Sequence, residues 1–292
     1  MKKVVLITGT SSGVGFSLAL KLAELGHTVY ASMRDLDKSK ALTEEMNTRG
    51  LHVNLVQLDV ESTQSVVTAV KKIIEVEGKI DCLVNNAGVG FAKTTEYASE
   101  EEVATVMNIN FMGVVRTTKA VLTHMREAKS GQIINISSVG GLVGQPFNEI
   151  YCASKFALEG YTESLATYVQ PFFGIKFSAI EPGGIASEFA ATIMKKQHLP
   201  NYKEKDEYTP ILERYMAGAM RRQDAEGEGV YQSCDQVADC IIDVINSSNP
   251  PLRLRTSDWA EDLCGIKTQS DPSGSRSVGE VYRRFLTDEV SS

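Results

Sequence analysis

The sequence predicts an α/β fold: a doubly wound, mostly parallel sheet of about seven strands with helices on both faces. Three observations predict it. Short runs rich in Val and Ile recur without polar alternation, as in strands buried on both faces. Helix-period segments of adequate length separate them, joined by short links. A glycine-rich turn sits where the first strand hands over to the first helix.

The elements follow in order. Strand candidates are Lys3–Thr8, Thr28–Met33, His52–Leu58, Asp81–Asn85, Gln132–Ser137 and Lys176–Ile180. Helix candidates are Gly15–Leu25, Leu36–Arg49, Thr63–Glu77, Glu100–Arg126 and Ile150–Pro171. Parallel neighbours need right-handed crossovers, and these give the doubly wound order. Residues 190–230 mix charges with Tyr, Met and Leu and carry no strand signal, so they read as helical excursions over the sheet edge. Asp235–Asn246 predicts a further helix, which Asn249-Pro250-Pro251 ends, and Leu252–Arg255 suits an edge strand. Asp271–Ser277 reads as a loop before a last short helix. No linker divides the chain. The expectation is one domain over residues 1–292, with a substrate-lid excursion at 185–230 and a C-terminal extension at 250–292.

Composition narrows the function classes. With 292 residues, 42% hydrophobic and 23% charged, the chain suits one large globular domain, not a disordered or fibrous one. A formal net charge of −7 argues against a general nucleic-acid or anionic-membrane surface. The charge-free stretch Ser130–Asn148 is too rich in glycine, amides and hydroxyls to span a bilayer. After Met1-Lys2-Lys3 the apolar run stops at Thr8-Gly9, too early for an export signal, so a cytoplasmic location is expected. The five cysteines are widely spaced and the four histidines form no ligand cluster, so neither a disulfide framework nor a metal site is expected.

Chemistry begins at Thr8-Gly9-Thr10-Ser11-Ser12-Gly13-Val14-Gly15. Glycines in a strand-to-helix turn let the backbone approach a phosphate, and the helix N-terminus offers unpaired N–H groups. The spacing is G-x-x-x-G-x-G. The same residues match the G-x-S-x-G elbow of serine hydrolases, but nothing precedes the first strand to build an oxyanion loop, which makes that the poorer reading. Leu58-Asp59-Val60 and Asn85-Asn86-Ala87-Gly88 end the third and fourth strands, where a dinucleotide would pass. At the end of the second strand, Arg34 and Ser11 suit the 2′-phosphate of NADP(H). Asp35 would suit the ribose of NAD(H), but it also fits a cap for the helix from Leu36. The balance favours NADP(H).

Tyr151 and Lys155 stand one helical turn apart. A free phenol has a pKa near 10, and a neighbouring cation stabilises the phenolate by about 1.4 kcal/mol per unit of lowering. That suits a general acid/base. Ser138, thirteen residues upstream, closes the fifth strand, where ligands of doubly wound sheets bind. Asn110 is unusual inside a helix. Its amide could hold a water that links the lysine to solvent, or it could bond its own helix.

Over about residues 2–190 these motifs, with Asp59-Val60 and Pro182-Gly183, resemble the short-chain dehydrogenase/reductase family. The stretch from Ser138 to Gly160 resembles its 17β-hydroxysteroid and retinol dehydrogenase branch. The resemblance implies a Rossmann-type enzyme that moves hydride between NADP(H) and a carbonyl or alcohol. Catalysis would rest on Asn110, Ser138, Tyr151 and Lys155. The cofactor would touch Gly9, Ser11, Ser12, Gly13, Val14 and Gly15, then Arg34, Asp59 and Val60. It would continue past Asn86, Ala87 and Gly88 to Tyr151 and Lys155, and end at Pro182, Gly183, Ile185 and Ser187. Ser187 stands where the family often has Thr. Val139, Gly140, Leu142, Phe147 and Phe189, with Ser138 and Tyr151, would wall a hydrophobic ketone or aldehyde such as a steroid or retinoid. A homodimer or homotetramer is usual in the family. A non-catalytic nucleotide sensor on the same fold is the competing class.

Overall fold

The computed structural model describes residues 2–186, 206–224 and 231–286. Its main sheet has seven parallel strands: β1 (Val4–Thr8), β2 (Thr28–Met33), β3 (Asn54–Gln57), β4 (Cys82–Asn85), β5 (Gly131–Ile136), β6 (Ile175–Glu181) and β9 (Arg253–Arg255). Their spatial order is β3-β2-β1-β4-β5-β6-β9, so the winding reverses between β1 and β4. The predicted fold class is the observed one.

Alternate residues of each strand face opposite layers. Val5 and Ile7 of β1 join a core under α1 (Gly13–Glu24), α2 (Lys40–Arg49) and α8 (Cys234–Asn246). Val4 and Leu6 join a second core under α3 (Thr63–Glu77), α5 (Gly113–Ala128) and α6 (Glu149–Phe173). With a core on each face, the residues of the central strands are buried on both sides, which is why these strands show no alternation in sequence.

Four differences from expectation bear on the site. The long helix expected over Glu100–Arg126 is interrupted. α4 (Glu100–Met107) passes into a π-turn at Asn108–Met112 before α5 begins. Pro171 does not end α6; it occupies the last turn, and left-handed Gly174 (φ 69°) stops the helix after Phe173. A Cβ on Gly174 would stand 2.9 Å from the Lys129 carbonyl oxygen, so glycine serves both the conformation and the close approach. A second sheet, unforeseen, pairs β7 (Gly184–Ala186) in parallel with β8 (Tyr231–Ser233). Finally, α9 (Asp258–Thr268), capped by Ser257, was not expected. The predicted helical excursion is present as α7 (Thr209–Asp224), and the last short helix as α10 (Ser275–Leu286).

Candidate active site

The strand ends around the winding reversal open on one cavity of about 1500 Å³. Its floor starts at the glycine turn. Gly9 (φ +71°) and Gly13 (φ +67°) hold left-handed conformations. A Cβ on Gly9 would meet Ala87 Cα at 2.7 Å, and one on Gly15 would meet Asn86 Nδ2 at 2.4 Å. The turn is thus pressed against the end of β4. Thr8 Oγ1 accepts from the backbone N–H groups of Asn86 and Ala87, both at 3.0 Å. The Asn86 amide donates to the carbonyls of Thr8 and Gly9, both at 2.9 Å. Gly9, Ser11, Ser12, Gly13 and Val14 line the cavity; Gly15 lies behind it as a packing residue.

At one end stand Arg34, Asp35, Lys38 and Lys40. Arg34 is 62% exposed, with Nη1 3.3 Å from Glu61 Oε2. Asp35 accepts from the Asp37 N–H at 3.0 Å and caps a short 3-10 turn, as its alternative reading predicted. Lys38 and Lys40 were not picked out from the sequence, although two lysines just past Arg34 are a readable signal. Asp59 and Val60 line the middle, with Asn86, Ala87 and Gly88. One Asp59 carboxylate oxygen accepts from the Glu61 N–H.

Ser138, Tyr151 and Lys155 open on the other end, beside Pro182, Gly183 and Ile185. Ser138 Oγ accepts from the Gly140 N–H at 3.0 Å, and the hydroxyl also bonds Tyr151. Lys155 Nζ donates to the Ile136 carbonyl at 2.8 Å and lies 5.7 Å from the centre of the Tyr151 ring. Burial pushes the Tyr151 phenol up to about 12, against the lowering effect of the Ser138 bond. Burial also pulls the Lys155 ammonium down to about 8, opposed by Glu159. In the protein alone, desolvation therefore outweighs the expected lowering of the phenol by the lysine.

Asn110 is buried in the π-turn, and the protein partners of its side chain lie outside its own helix. Its Oδ1 accepts from the Val89 N–H at 2.8 Å. Its Nδ2 donates to the Val89 carbonyl at 2.8 Å and to Ser154 Oγ at 3.1 Å. It ties the loop after Gly88 to the helix that carries Tyr151.

The proposed apolar wall needs correction. Val139 and Leu142 turn away from the cavity and pack with Ala260 and Cys264 of α9. Gly140 is backed by the Tyr151 ring and Cys152, and Phe147 is buried near Tyr215, its ring 6.0 Å away. None of the four lines the cavity; Phe91, Val106 and Ile109 do. Ser187 and Phe189 lie outside the described residues.

The chain matches the model of the short chain dehydrogenase family over residues 3–198. It belongs to that family. Retinol dehydrogenase 8 of Bos taurus is 40% identical to it over 94% of this chain and 87% of that one. Human 17-beta-hydroxysteroid dehydrogenase type 1 is 36% identical over 98% and 87%. The chain thus falls in the predicted branch. Among solved structures, a short-chain dehydrogenase from Streptomyces avermitilis superposes with a TM-score of 0.72 at 29% identity, covering 97% and 98% of the two chains. An actinorhodin polyketide ketoreductase with NADPH gives 0.74 at 27%, covering 87% and 95%. This short-chain dehydrogenase is an oxidoreductase acting on CH–OH and C=O groups, and its family binds nicotinamide cofactors. No helix among the described residues is long and apolar enough to cross a membrane.

Proposed function

We propose that the protein interconverts a hydrophobic ketone or aldehyde with its alcohol, using NADP(H). The observation that carries this is one cavity with a basic end at Arg34, Lys38 and Lys40 and an acid/base end at Ser138, Tyr151 and Lys155. The glycine cradle between them, where an added Cβ would strike Ala87 or Asn86, fits a pyrophosphate against bare backbone. NADPH, when bound, supplies the hydride.

The chain's own residues do the rest. Gly13 and Val14 present N–H groups of the α1 terminus to the pyrophosphate. Asp59, Val60, Ala87 and Gly88 frame the adenosine and ribose path. Pro182, Gly183 and Ile185 confine the nicotinamide end, leaving Tyr151 Oη and Ser138 Oγ to face the substrate. Ser138 holds the carbonyl oxygen and Tyr151 gives it a proton. Lys155 holds the ribose and favours the resulting phenolate. Asn110 keeps Val89 and the Tyr151 helix in register. Phe91, Val106 and Ile109 give the cavity an apolar wall suited to a steroid-, retinoid- or similar substrate.

The same reading places the protein in the cytoplasm as a homodimer or homotetramer. Met112, Phe156 and Tyr168, exposed along the π-turn and α6, support self-association. The function is tested by Tyr151→Phe: turnover of an apolar carbonyl panel is lost while NADPH still quenches protein fluorescence on binding. Turnover at the wild-type rate refutes the assignment.

A further inference from the structure

Among the described residues, the buried side-chain polar atoms lacking a hydrogen-bond partner are Ser137 Oγ, Glu159 Oε1 and Glu181 Oε1. They fall in one place. Glu159 is on α6, one turn beyond Lys155. Glu181 ends β6 and Ser137 follows β5. Glu159 is 6% exposed and Glu181 0%. A Cβ on Gly141 would stand 2.7 Å from Ser137 Oγ, 3.0 Å from Glu159 Cγ and 3.1 Å from the Lys155 carbonyl oxygen, so a glycine lets these groups close up. The two carboxyls face one another, and the serine hydroxyl faces Glu159.

Two ionised carboxylates have four acceptor oxygens and no donor. Side by side in the interior they leave oxygens unpaired, as these are. The neighbouring charges point to the remedy. Arg253 Nε lies 3.7 Å from Glu159 Oε2, and its Nη2 bonds Glu163. Arg255 Nη1 lies 3.3 Å from Glu181 Oε2, while Nε and Nη2 grip Glu261 at 2.7 and 3.0 Å. The remaining titratable neighbours are the Cys264 thiol of α9, which burial pushes up to about 12 and keeps neutral, and Asp271, whose carboxylate faces Arg253. The cations are thus Lys155, Arg253 and Arg255; the carboxyls are Glu159, Glu163, Glu181, Glu261 and Asp271. The carboxyls outnumber the cations, and one proton on the inner pair reduces that excess and supplies the missing donor.

We propose that Glu159 and Glu181 share one proton, and that this singly charged pair is the counter-ion that positions Lys155 and keeps it protonated beside Tyr151. Burial raises both carboxyls, and Glu159 raises Lys155 against its own burial, in agreement with this assignment. The counter-ion role rests on the function proposed for Lys155; the shared proton does not.

Infrared spectroscopy of the full chain with NADP(H) bound separates the two. Near neutral pH the wild type shows a protonated carboxyl C=O band that shifts in D2O. Glu159→Gln and Glu181→Gln each abolish it, because the amide becomes the donor and the remaining carboxyl ionises. A wild type without the band, or a band that survives both substitutions, overturns the shared proton. In the pH profile of kcat/KM for reduction, Glu159→Gln leaves the charge on the more distant Glu181. The first proton loss of the Tyr151–Lys155 pair then falls to lower pH than in Glu181→Gln. The double Gln variant, with no charge left on the pair, lowers it by about one unit or more relative to wild type. Identical profiles for the two single variants overturn the counter-ion role, and they do so even if the double variant fails to fold. An unaltered turnover in Tyr151→Phe defeats the functional reading instead and leaves the infrared result standing.

Discussion

In the proposed reaction, Tyr151 and Lys155 start from unfavourable protonation equilibria. Burial holds the phenol at about 12 and the ammonium at about 8, so each group is shifted towards its neutral form in the protein alone. A bound pyridinium ring and its ribose hydroxyls would add positive potential and donors at the phenol. The difference titration between wild type and Tyr151→Phe should therefore show a phenol ionising well above 10 without cofactor, and lower with NADP+. Lys155 also leaves a signature in stability. Its folded pKa lies below the unfolded value of 10.5, so between about 8 and 10.5 the unfolded chain binds more protons. Stability contributed at this site rises across that window. In denaturant titrations, wild type should gain on Lys155→Met between pH 8 and 10.5; a constant difference contradicts the depressed pKa. At the other end of the cavity, Arg34→Ala should weaken NADPH at least tenfold more than NADH, and equal losses in fluorescence titrations overturn the cofactor choice. Ser138, Tyr151 and Lys155 could be grouped from the sequence because each sits at a strand end or on one helix turn, and all three line the cavity. Val139 and Leu142 misled because nearness to Ser138 in sequence does not say which way a side chain turns. Their true cover, α9, begins more than a hundred residues later.

Elements differ in how openly they announce themselves. β1 to β6 were readable because strands buried on both faces must be runs of Val, Ile and Leu. β7 and β8 were not. Three-residue strands drawn from Gly-Ile-Ala and Tyr-Gln-Ser carry too little periodicity to stand out. The π-turn was hidden for another reason: one inserted residue shifts the register of two flanking helices without changing their composition. That shift has a use here. It sets Asn110 against Val89, where both of its amide atoms are engaged with the backbone of that one residue. Asn110→Leu removes these bonds and leaves the part-buried Val89 N–H and C=O without their partner, which costs about 1 kcal/mol. The measurable outcome is a lowered Cm with unchanged m in urea, together with a reduced kcat. The glycine turn has its own cost. Gly9→Ala forces an L side chain to φ +71° and into Ala87, and should destabilise by more than about 1 kcal/mol while weakening cofactor binding.

At the scale of the whole molecule, α7 is fastened to the cavity rim. Tyr97 Oη donates to Asp206 at 2.7 Å and Tyr208 Oη donates to Glu96 at 2.8 Å, with the two rings edge to face at 5.7 Å. Asn148 Nδ2 reaches Tyr215 Oη at 3.1 Å. The double variant Tyr97→Phe/Tyr208→Phe should raise KM for bulky apolar substrates more than it lowers kcat, and protease cleavage near residue 206 should quicken. The chain between β7 and β8 has its two ends stitched together in register, Gly184 to Tyr231 and Ala186 to Ser233. Such a clasp makes the intervening passage exchangeable: its length and chemistry can drift, or be transplanted from a sister enzyme, while the frame that carries the proton donor stays in place. On the proposed function, with this passage as the substrate lid, substrate choice in this lineage can therefore evolve as a cassette.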